Sequence, residues 1–162
     1  MPRTHAIVES PIGPLTAVRE EGVLVNVLFD LPGHPPDPAT LGPRDDAAFA
    51  DVARQLAEYF AAERTGFELE LRAEGNDLQR GVWELMIRIP YGETRSYGDL
   101  ARDLGDRTLA LAVGTACGRN PLPIVIPCHR VVGADGSLVG FGGGLPRKRF
   151  LLDLEQRGER LF

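Results

Sequence analysis

One segment, residues 120–132, most constrains what this chain can fold into. It reads Asn-Pro-Leu-Pro-Ile-Val-Ile-Pro-Cys-His-Arg-Val-Val, and it places a thiol beside an imidazole and a guanidinium. The apolar, β-branched run from Ile124 to Ile126 predicts a short buried strand. Because Pro127 has no N–H to donate, we expect the strand to end there and to present Cys128 at its tip.

Cys128 is a candidate nucleophile. A free thiol has a pKa of about 8.5 and attacks well only as the thiolate, so it needs a base or a positive field. His129 is the candidate base, but neighbouring side chains of an extended chain point to opposite faces, so we expect a water to relay the proton. Glu155 is the candidate acidic partner for the other imidazole nitrogen. For the second cysteine, Cys117, a small core residue is the favoured interpretation.

The segment resembles the active-site signature of a known family. Asn120-Pro121 and the run Ile-Pro-Cys-His-Arg-Val at residues 126–131 are similar to the alkyl-acceptor motif of the O6-alkylguanine-DNA alkyltransferases, or methylated-DNA–protein-cysteine methyltransferases. The likeness covers residues 77–158, and residues before it resemble the family's smaller N-terminal domain loosely. The further motifs are Gln79-Arg80-Gly81-Val82-Trp83, Ile89-Pro90-Tyr91-Gly92-Glu93-Thr94, Ser96-Tyr97, Ala112-Val113-Gly114, Gly143-Gly144, Arg147-Lys148 and Leu151-Leu152 with Glu155.

The resemblance implies a role for each matching catalytic residue. Cys128 would accept the alkyl group, His129 would be the water-relayed base, and Glu155 would orient the imidazole. Asn120 would hold the active-site segment in place, and Tyr97 would contact the base or a flanking phosphate and could protonate the leaving guanine. The implied substrate-binding residues, which would wall the pocket and approach the guanine closely, are Phe141, Gly142, Gly143 and Val131.

The resemblance also implies that a helix of a helix-turn-helix enters the minor groove and that the target nucleotide flips out of the duplex. Leu111 stands where the family usually has an arginine that fills the gap left by the flipped base. An apolar side chain can wedge into a base stack but offers the orphaned partner base no hydrogen bond, so we expect altered DNA handling. The implied DNA-binding residues are Leu111, Ala110, Gly114, Thr115, Arg107 and Arg119.

Charge is spread unevenly along the chain. The 162 residues carry a net charge of -5, which argues against a general nucleic-acid binder. Residues 1–78 hold 6 basic and 14 acidic side chains, whereas residues 79–150 hold 10 basic and 6 acidic ones. The motifs therefore lie in the basic segment, as expected of a surface that faces phosphates. Within it, residues 147–149 (Arg-Lys-Arg) form the basic, phosphate-facing start predicted for the last helix.

The first half of the chain predicts a small sheet and a helix. Short apolar runs separated by turn signals over residues 4–30 indicate an antiparallel sheet. A helix capped by Asp45 or Asp46 follows a proline-rich loop, and residues 67–71 alternate as one more strand. We place a domain boundary at the Glu74-Gly75-Asn76 turn, so that residues 1–74 form a sheet-plus-helix domain.

The second half, residues 75–162, predicts a mainly helical domain for DNA binding and alkyl acceptance. A helix opens at Asp77, and a capping box of Ser96 and Asp99 starts a short helix that a second helix follows over residues 108–118. This pair is a helix-turn-helix candidate, and the active-site cysteine strand follows it. The fold class predicted for the whole chain is α/β.

The resemblance implies direct, single-turnover repair of O6-alkylguanine in double-stranded DNA, with O4-alkylthymine as a second candidate lesion. No metal or other cofactor is implied, and the thioether product would be stable. Two cysteines, one of them a nucleophile, favour a reducing, cytoplasmic compartment, and no apolar run approaches about 18 residues, so no membrane span is expected. We expect a monomer and leave cooperative binding along DNA open.

Three alternatives stay open. One is an alkyl-lesion sensor that flips the base without accepting the alkyl group, although the presence of Cys128 counts against it. The second is alkyl transfer from a non-DNA substrate, which Leu111 and the acidic net charge favour. The third is a cysteine hydrolase, for which nothing in the sequence marks an oxyanion hole.

Overall fold

The computed structural model describes residues 2–159. It divides into two compact units, Met1–Ala73 and Glu74–Phe162. The predicted α/β class is confirmed, with a small antiparallel sheet in the first unit and mainly helices in the second. The functional labels given to the two domains stay predictions.

The first unit holds a three-stranded antiparallel sheet whose strands lie in chain order. They are β1 (Arg3–Val8), β2 (Leu15–Glu20) and β3 (Val23–Phe29). A 3₁₀ turn over Asp46–Phe49, capped by the Asp45 side chain, leads into α1 (Ala50–Phe60). The predicted sheet and the helix predicted after Asp45 are therefore both confirmed. The core of this unit includes Leu15, Ala17, Leu24, Val27, Phe49, Val52, Leu56 and Tyr59.

The strand predicted over residues 67–71 is wrong. Only Leu71 makes a bridge, to Leu24 of β3. The reason lies in Gln55 of α1, whose buried side-chain amide donates to the Glu68 carbonyl at 3.1 Å and accepts from the Glu68 N–H at 2.8 Å. A side chain therefore satisfies the backbone groups that a strand neighbour would otherwise pair.

The second unit is mainly helical. Its helices are α2 (Asp77–Ile87), α3 (Tyr97–Asp103), α4 (Ala110–Gly118) and α5 (Leu145–Glu159). Two short parallel strands, β4 (Arg95–Ser96) and β5 (Val131–Val132), pair within it. The indole Nε1 of Trp83 donates to the Ala116 carbonyl at 2.9 Å and so joins α2 to α4.

The predicted helix pair is present as α3 and α4. Ser96 and Asp99 form the predicted capping box, since each side chain accepts from the other residue's backbone N–H at 3.0 Å. Gly105 adopts a φ of 95° just after α3, which is a conformation that favours glycine. The Asp106 side chain then caps a 3₁₀ turn over Arg107–Leu109 that runs directly into α4.

The strand predicted over Ile124–Ile126 is also wrong. Ile124 has a φ of 74°, and the Ile126 N–H donates back to the Leu122 carbonyl at 2.8 Å, so the segment is a turn. Prolines remove several of the donors that a sheet neighbour would need, and this explains why the β-branched run does not become a strand. Strand β5 instead follows the Cys-His-Arg sequence.

No helix within residues 2–159 combines the length and hydrophobicity that a membrane span requires.

Candidate active site

Cys128 faces a small cavity of about 80 Å³ in the second unit. Of the residues predicted from the sequence, five line this cavity: Cys128, Tyr97, Phe141, Gly142 and Gly114. Gly140, within the segment 139–144 that the resemblance makes the pocket wall, also lines it, whereas two further lining residues, Cys117 and Gly118, were not predicted to belong to the site. A larger open cleft of about 720 Å³ runs along α5, but neither cysteine lines it. The chemistry is therefore assigned to the smaller cavity.

The backbone at Cys128 is fixed by two tight local turns. Pro127 has φ -80° and ψ 68°, and the Cys128 N–H donates to the Ile126 carbonyl at 2.8 Å, which is an inverse γ-turn. A 3₁₀ helix over Cys128–Arg130 follows. Cys128 therefore starts a helical turn instead of ending a strand, which corrects the prediction.

Asn120 holds this segment, as predicted for it. Its Nδ2 donates to the Ile126 carbonyl at 2.8 Å, and its Oδ1 accepts from the Leu122 N–H at 2.9 Å. Burial raises the pKa of Cys128 to about 11, and the hydrogen bond from the Asn120 side chain opposes this rise. The resting thiol therefore keeps its proton, and attack requires a base to remove it.

His129 and Glu155 form a buried pair behind the thiol. The His129 Nε2 and the Glu155 Oε2 lie 2.6 Å apart, and neither side chain is more than 1% exposed. Arg130 binds the same carboxylate through Nε at 2.7 Å and Nη2 at 3.0 Å. Burial works against ionisation of Glu155, yet the hydrogen bonds from His129 and Arg130 lower its pKa to about 2. Glu155 is therefore a carboxylate throughout the physiological pH range.

The partners of His129 indicate its tautomer. Burial lowers the pKa of His129 and outweighs the raising effect of Glu155, so the imidazole is neutral. An ionised carboxylate only accepts hydrogen bonds, so the proton of the neutral ring is assigned to Nε2. The buried Nδ1 has no hydrogen-bond partner among the described protein atoms. That nitrogen carries the lone pair of a general base.

Tyr97 stands against the cavity wall at the start of α3. Its hydroxyl donates to the Val139 carbonyl at 2.8 Å. A Cβ added at Gly114 would lie 3.8 Å from the Tyr97 ring, and one added at Gly140 would lie 3.9 Å from its hydroxyl. Burial raises the pKa of Tyr97 to about 12, so the phenol is a proton donor at neutral pH.

Lys148 is not the phosphate-facing residue that the sequence predicts. It is fully buried, and its Nζ donates to the carbonyls of Val131 at 2.6 Å, Val139 at 3.1 Å and Gly140 at 3.2 Å. Burial lowers its pKa. Through these bonds Lys148 ties the wall of the cavity to α5 and to β5.

Two of the predicted substrate-binding residues do not line the cavity. Val131 is fully buried in β5, where its carbonyl accepts from Lys148 and its N–H bonds to the Cys128 carbonyl. Gly143 is buried, and its carbonyl accepts from Arg147 at 3.0 Å. Both support the wall from behind.

The predicted DNA-binding residues lie on and beside α4. Leu111 is 89% exposed, which is unusual for a large apolar side chain, and Thr115 is exposed one turn further along. Arg107 before the helix and Arg119 after it are exposed as well, whereas Ala110 is half-buried. The outer face of α4 thus presents Leu111 and Thr115, and one exposed arginine lies beyond each end of the helix.

The missed lining residues left a partial signal in the sequence. Gly114, Cys117 and Gly118 are spaced by three and four positions, so they share one face of α4. Nothing in the sequence indicated the burial of Lys148, because its partners are backbone carbonyls of β5 and of residues 139–140, which no side-chain pattern marks. No group of three or more His, Cys, Asp or Glu side chains within residues 2–159 is arranged to hold a metal ion.

Family models match almost the whole chain. Residues 77–157 match the 6-O-methylguanine DNA methyltransferase, DNA binding domain, and residues 4–73 match the ribonuclease-like domain of the same methyltransferase.

Individual relatives are similar along nearly their full length. A methylated-DNA–protein-cysteine methyltransferase from Mycobacterium bovis is 48% identical over 152 residues, which cover 94% of this chain and 92% of the relative. Another from Methanosarcina acetivorans is 42% identical, over 93% and 97% of the two chains. The solved structure of Mycobacterium tuberculosis OGT in complex with DNA superposes with a TM-score of 0.89 at 46% identity, covering 96% of this chain and 94% of that one.

Proposed function

Because the chain belongs to the family of 6-O-methylguanine DNA methyltransferases, we propose that it repairs alkylated DNA by moving an alkyl group from guanine O6 to Cys128. The observation that carries this proposal is the buried thiol at a cavity, with a neutral imidazole and an ionised carboxylate behind it. The protein is then a methylated-DNA–protein-cysteine methyltransferase that one alkyl transfer inactivates.

The proposed reaction is an in-line substitution at the alkyl carbon. His129 Nδ1 takes the thiol proton through a water, and Glu155 stabilises the imidazolium that forms. The Cys128 sulfur bonds to the alkyl carbon while the bond from that carbon to O6 breaks. Tyr97, whose phenol holds its proton at neutral pH, supplies a proton to the departing guanine. A thioether has no good leaving group, so each molecule acts once.

Base flipping follows from the burial of the thiol. Cys128 is only 8% exposed, so an alkyl carbon reaches its sulfur only by entering the cavity. A base that stays stacked in a duplex cannot enter, and the nucleotide must rotate out of the helix. We assign the minor-groove contact to the outer face of α4, where Leu111 would fill the vacated space in the stack. The helix backbone could approach the groove closely because Ala110, Gly114 and Thr115 have small side chains. Arg107 and Arg119 would lie near phosphates.

Several finer points belong to the same proposal. Phe141, Gly142 and Gly143 would shape the guanine site, with Val131 supporting it. O4-alkylthymine is a second candidate lesion, since it also carries an alkylated exocyclic oxygen. We expect a monomer on DNA, and a cytoplasmic location in which Cys117 and Cys128 remain the free thiols seen in the structure.

The direct test is the intact-protein mass after incubation with a duplex that contains one O6-methylguanine. We expect a single gain of about 14 Da on the tryptic peptide that holds Cys128, one methyl per protein molecule. The control duplex carries unmodified guanine, and Cys128→Ser should gain nothing from either duplex. A wild-type protein that stays unmethylated after hours with the lesion duplex would refute the proposal.

Leu111 favours one second candidate, alkyl transfer from a non-DNA substrate. A leucine at the most exposed point of α4 offers a nucleic acid no hydrogen bond and no charge. The discriminating measurement compares free O6-benzylguanine with the O6-methylguanine duplex under the same conditions. Transfer from the free base without transfer from the duplex would support this second candidate against DNA repair.

A further inference from the structure

Two thiols face the same cavity. Cys117 and Cys128 both line the 80 Å³ space, and both are free cysteines. Of the six other lining residues four are glycines, so few side-chain atoms stand between the two sulfurs. A sphere of this volume is roughly 5 Å across, which is close to the span of a two-carbon chain between sulfurs.

Cys117 is anchored on α4. It is buried, and its Sγ donates a weak hydrogen bond to the Sδ of Met86 at 3.6 Å. Burial raises its pKa to about 12, so the resting thiol is protonated. Cys128 has a side-chain hydrogen bond from Asn120 that favours its thiolate, so the first alkyl transfer falls to Cys128.

A protonated thiol still reacts when a strong electrophile is held beside it. Effective molarities of about 10⁵ M or more are reached by well-oriented intramolecular partners, and this far exceeds the concentration of bulk water. A thioether with a halide on its second carbon is such an electrophile, because its own sulfur assists departure of the halide. Among the residues that line this cavity, Cys117 carries the second thiol.

We propose that Cys117 is a second alkyl-acceptor site, which captures the far carbon of a bifunctional two-carbon group after Cys128 has taken the near carbon. The proposal rests on the proposed function, since its first step is alkyl transfer to Cys128. The ligand class is two-carbon groups with a halide at the far end, whether carried on guanine O6 or as a small 1,2-dihaloalkane.

Both steps balance without an oxidant or reductant. In the first, the Cys128 sulfur bonds to the near carbon, and the original leaving group departs with the bonding electrons. In the second, the halide leaves the far carbon with its electron pair, the Cys117 sulfur bonds to that carbon, and the thiol proton passes to solvent. The product is an internal Cys128–CH₂–CH₂–Cys117 bridge, and the reactive haloethyl thioether never reaches the DNA.

The test uses the full-length protein and 1,2-dibromoethane as the probe. An ethylene bridge adds about 26 Da to the intact protein, whereas an open hydroxyethyl adduct adds about 44 Da. Trypsin cleaves after Arg107, Arg119 and Arg130, so residues 108–119 and 120–130 form separate peptides. We expect these two peptides to be recovered as one covalently joined species that accounts for most of the modified protein.

Variants then assign the order of the steps. Cys117→Ser should shift the product to the 44 Da adduct on the 120–130 peptide, and Cys128→Ser should form no bridge. Wild-type protein that carries only open adducts, with the two peptides always separate, would overturn the proposal. A parallel reaction with the O6-methylguanine duplex separates the two hypotheses. Methylation without a bridge refutes the second site alone, and absence of methylation refutes the proposed function.

Discussion

Arg130 should be a principal contributor to the stability of the second unit. Its guanidinium makes two hydrogen bonds to the Glu155 carboxylate and one to the Ile89 carbonyl at 2.7 Å, all of them buried. Arg130→Met removes the cation and leaves the Glu155 carboxylate buried beside the neutral His129 imidazole. Removing one partner of a buried ion pair costs about 3–5 kcal/mol, because the other charge stays buried without compensation. We expect the free energy of unfolding to fall by that amount.

An exposed ion pair provides the matched control. Arg95 and Glu93 lie 3.3 Å apart with side chains 41% and 47% exposed, and such pairs contribute about 0–1 kcal/mol. Urea unfolding followed by the fluorescence of Trp83, the single tryptophan, reports on the unit that holds both pairs. If Arg130→Met costs no more than Arg95→Met, the reasoning that a buried charge network holds this site together is wrong.

Three further outcomes are expected. Lys148→Met should lower the free energy of unfolding by at least about 2 kcal/mol in urea titrations and slow methyl transfer, because buried carbonyls lose their donor. The exposed control, Arg149→Met, should have a free energy of unfolding within about 0.5 kcal/mol of the wild-type value. The free energy of unfolding should fall as the pH drops below about 6.5, because His129 takes up a proton in the unfolded chain but stays neutral in the folded one. It should fall again as the pH drops from about 4.5 towards 2, because Glu155 is then protonated. A flat profile between pH 7 and 4 would contradict these assignments. Leu111→Ala should slow repair of duplex O6-methylguanine at least tenfold in single-turnover assays while transfer from free O6-benzylguanine keeps its rate; equal slowing of both would exclude a role in flipping.

The residues of the candidate active site were predictable because most of them lie in one contiguous family motif. Cys128, His129 and Asn120 lie within ten residues, and Glu155 comes from the next helix, so a linear motif identifies them. The two wrong strands failed for a different reason. At Ile124 the prolines removed backbone donors, and at Glu68 a single glutamine side chain replaced the strand neighbour; tertiary context overrode local β propensity at both positions.

Lys148 and Cys117 illustrate what a sequence leaves undetermined. A lysine in a basic run is normally solvent-exposed, and here the Nζ of Lys148 is satisfied by the carbonyls of Val131 and of the consecutive residues Val139 and Gly140. Cys117 is buried as predicted, yet its burial is against a cavity instead of against a solid core. The difference depends on how α4 packs, which no pattern of small residues specifies.

Because glycines line much of the cavity, substitutions among them can reduce its volume but cannot increase it. A glycine can only gain a side chain, and a Cβ added at Gly114 or Gly140 would lie 3.8 or 3.9 Å from the Tyr97 side chain that lines the cavity. Random substitution of these glycines would narrow the range of alkyl groups that fit in the cavity. The cavity can be widened by replacing Tyr97, Phe141 or Cys117 with a smaller residue. A library intended to accept bulky alkyl groups should therefore vary those three positions and leave the glycines unchanged.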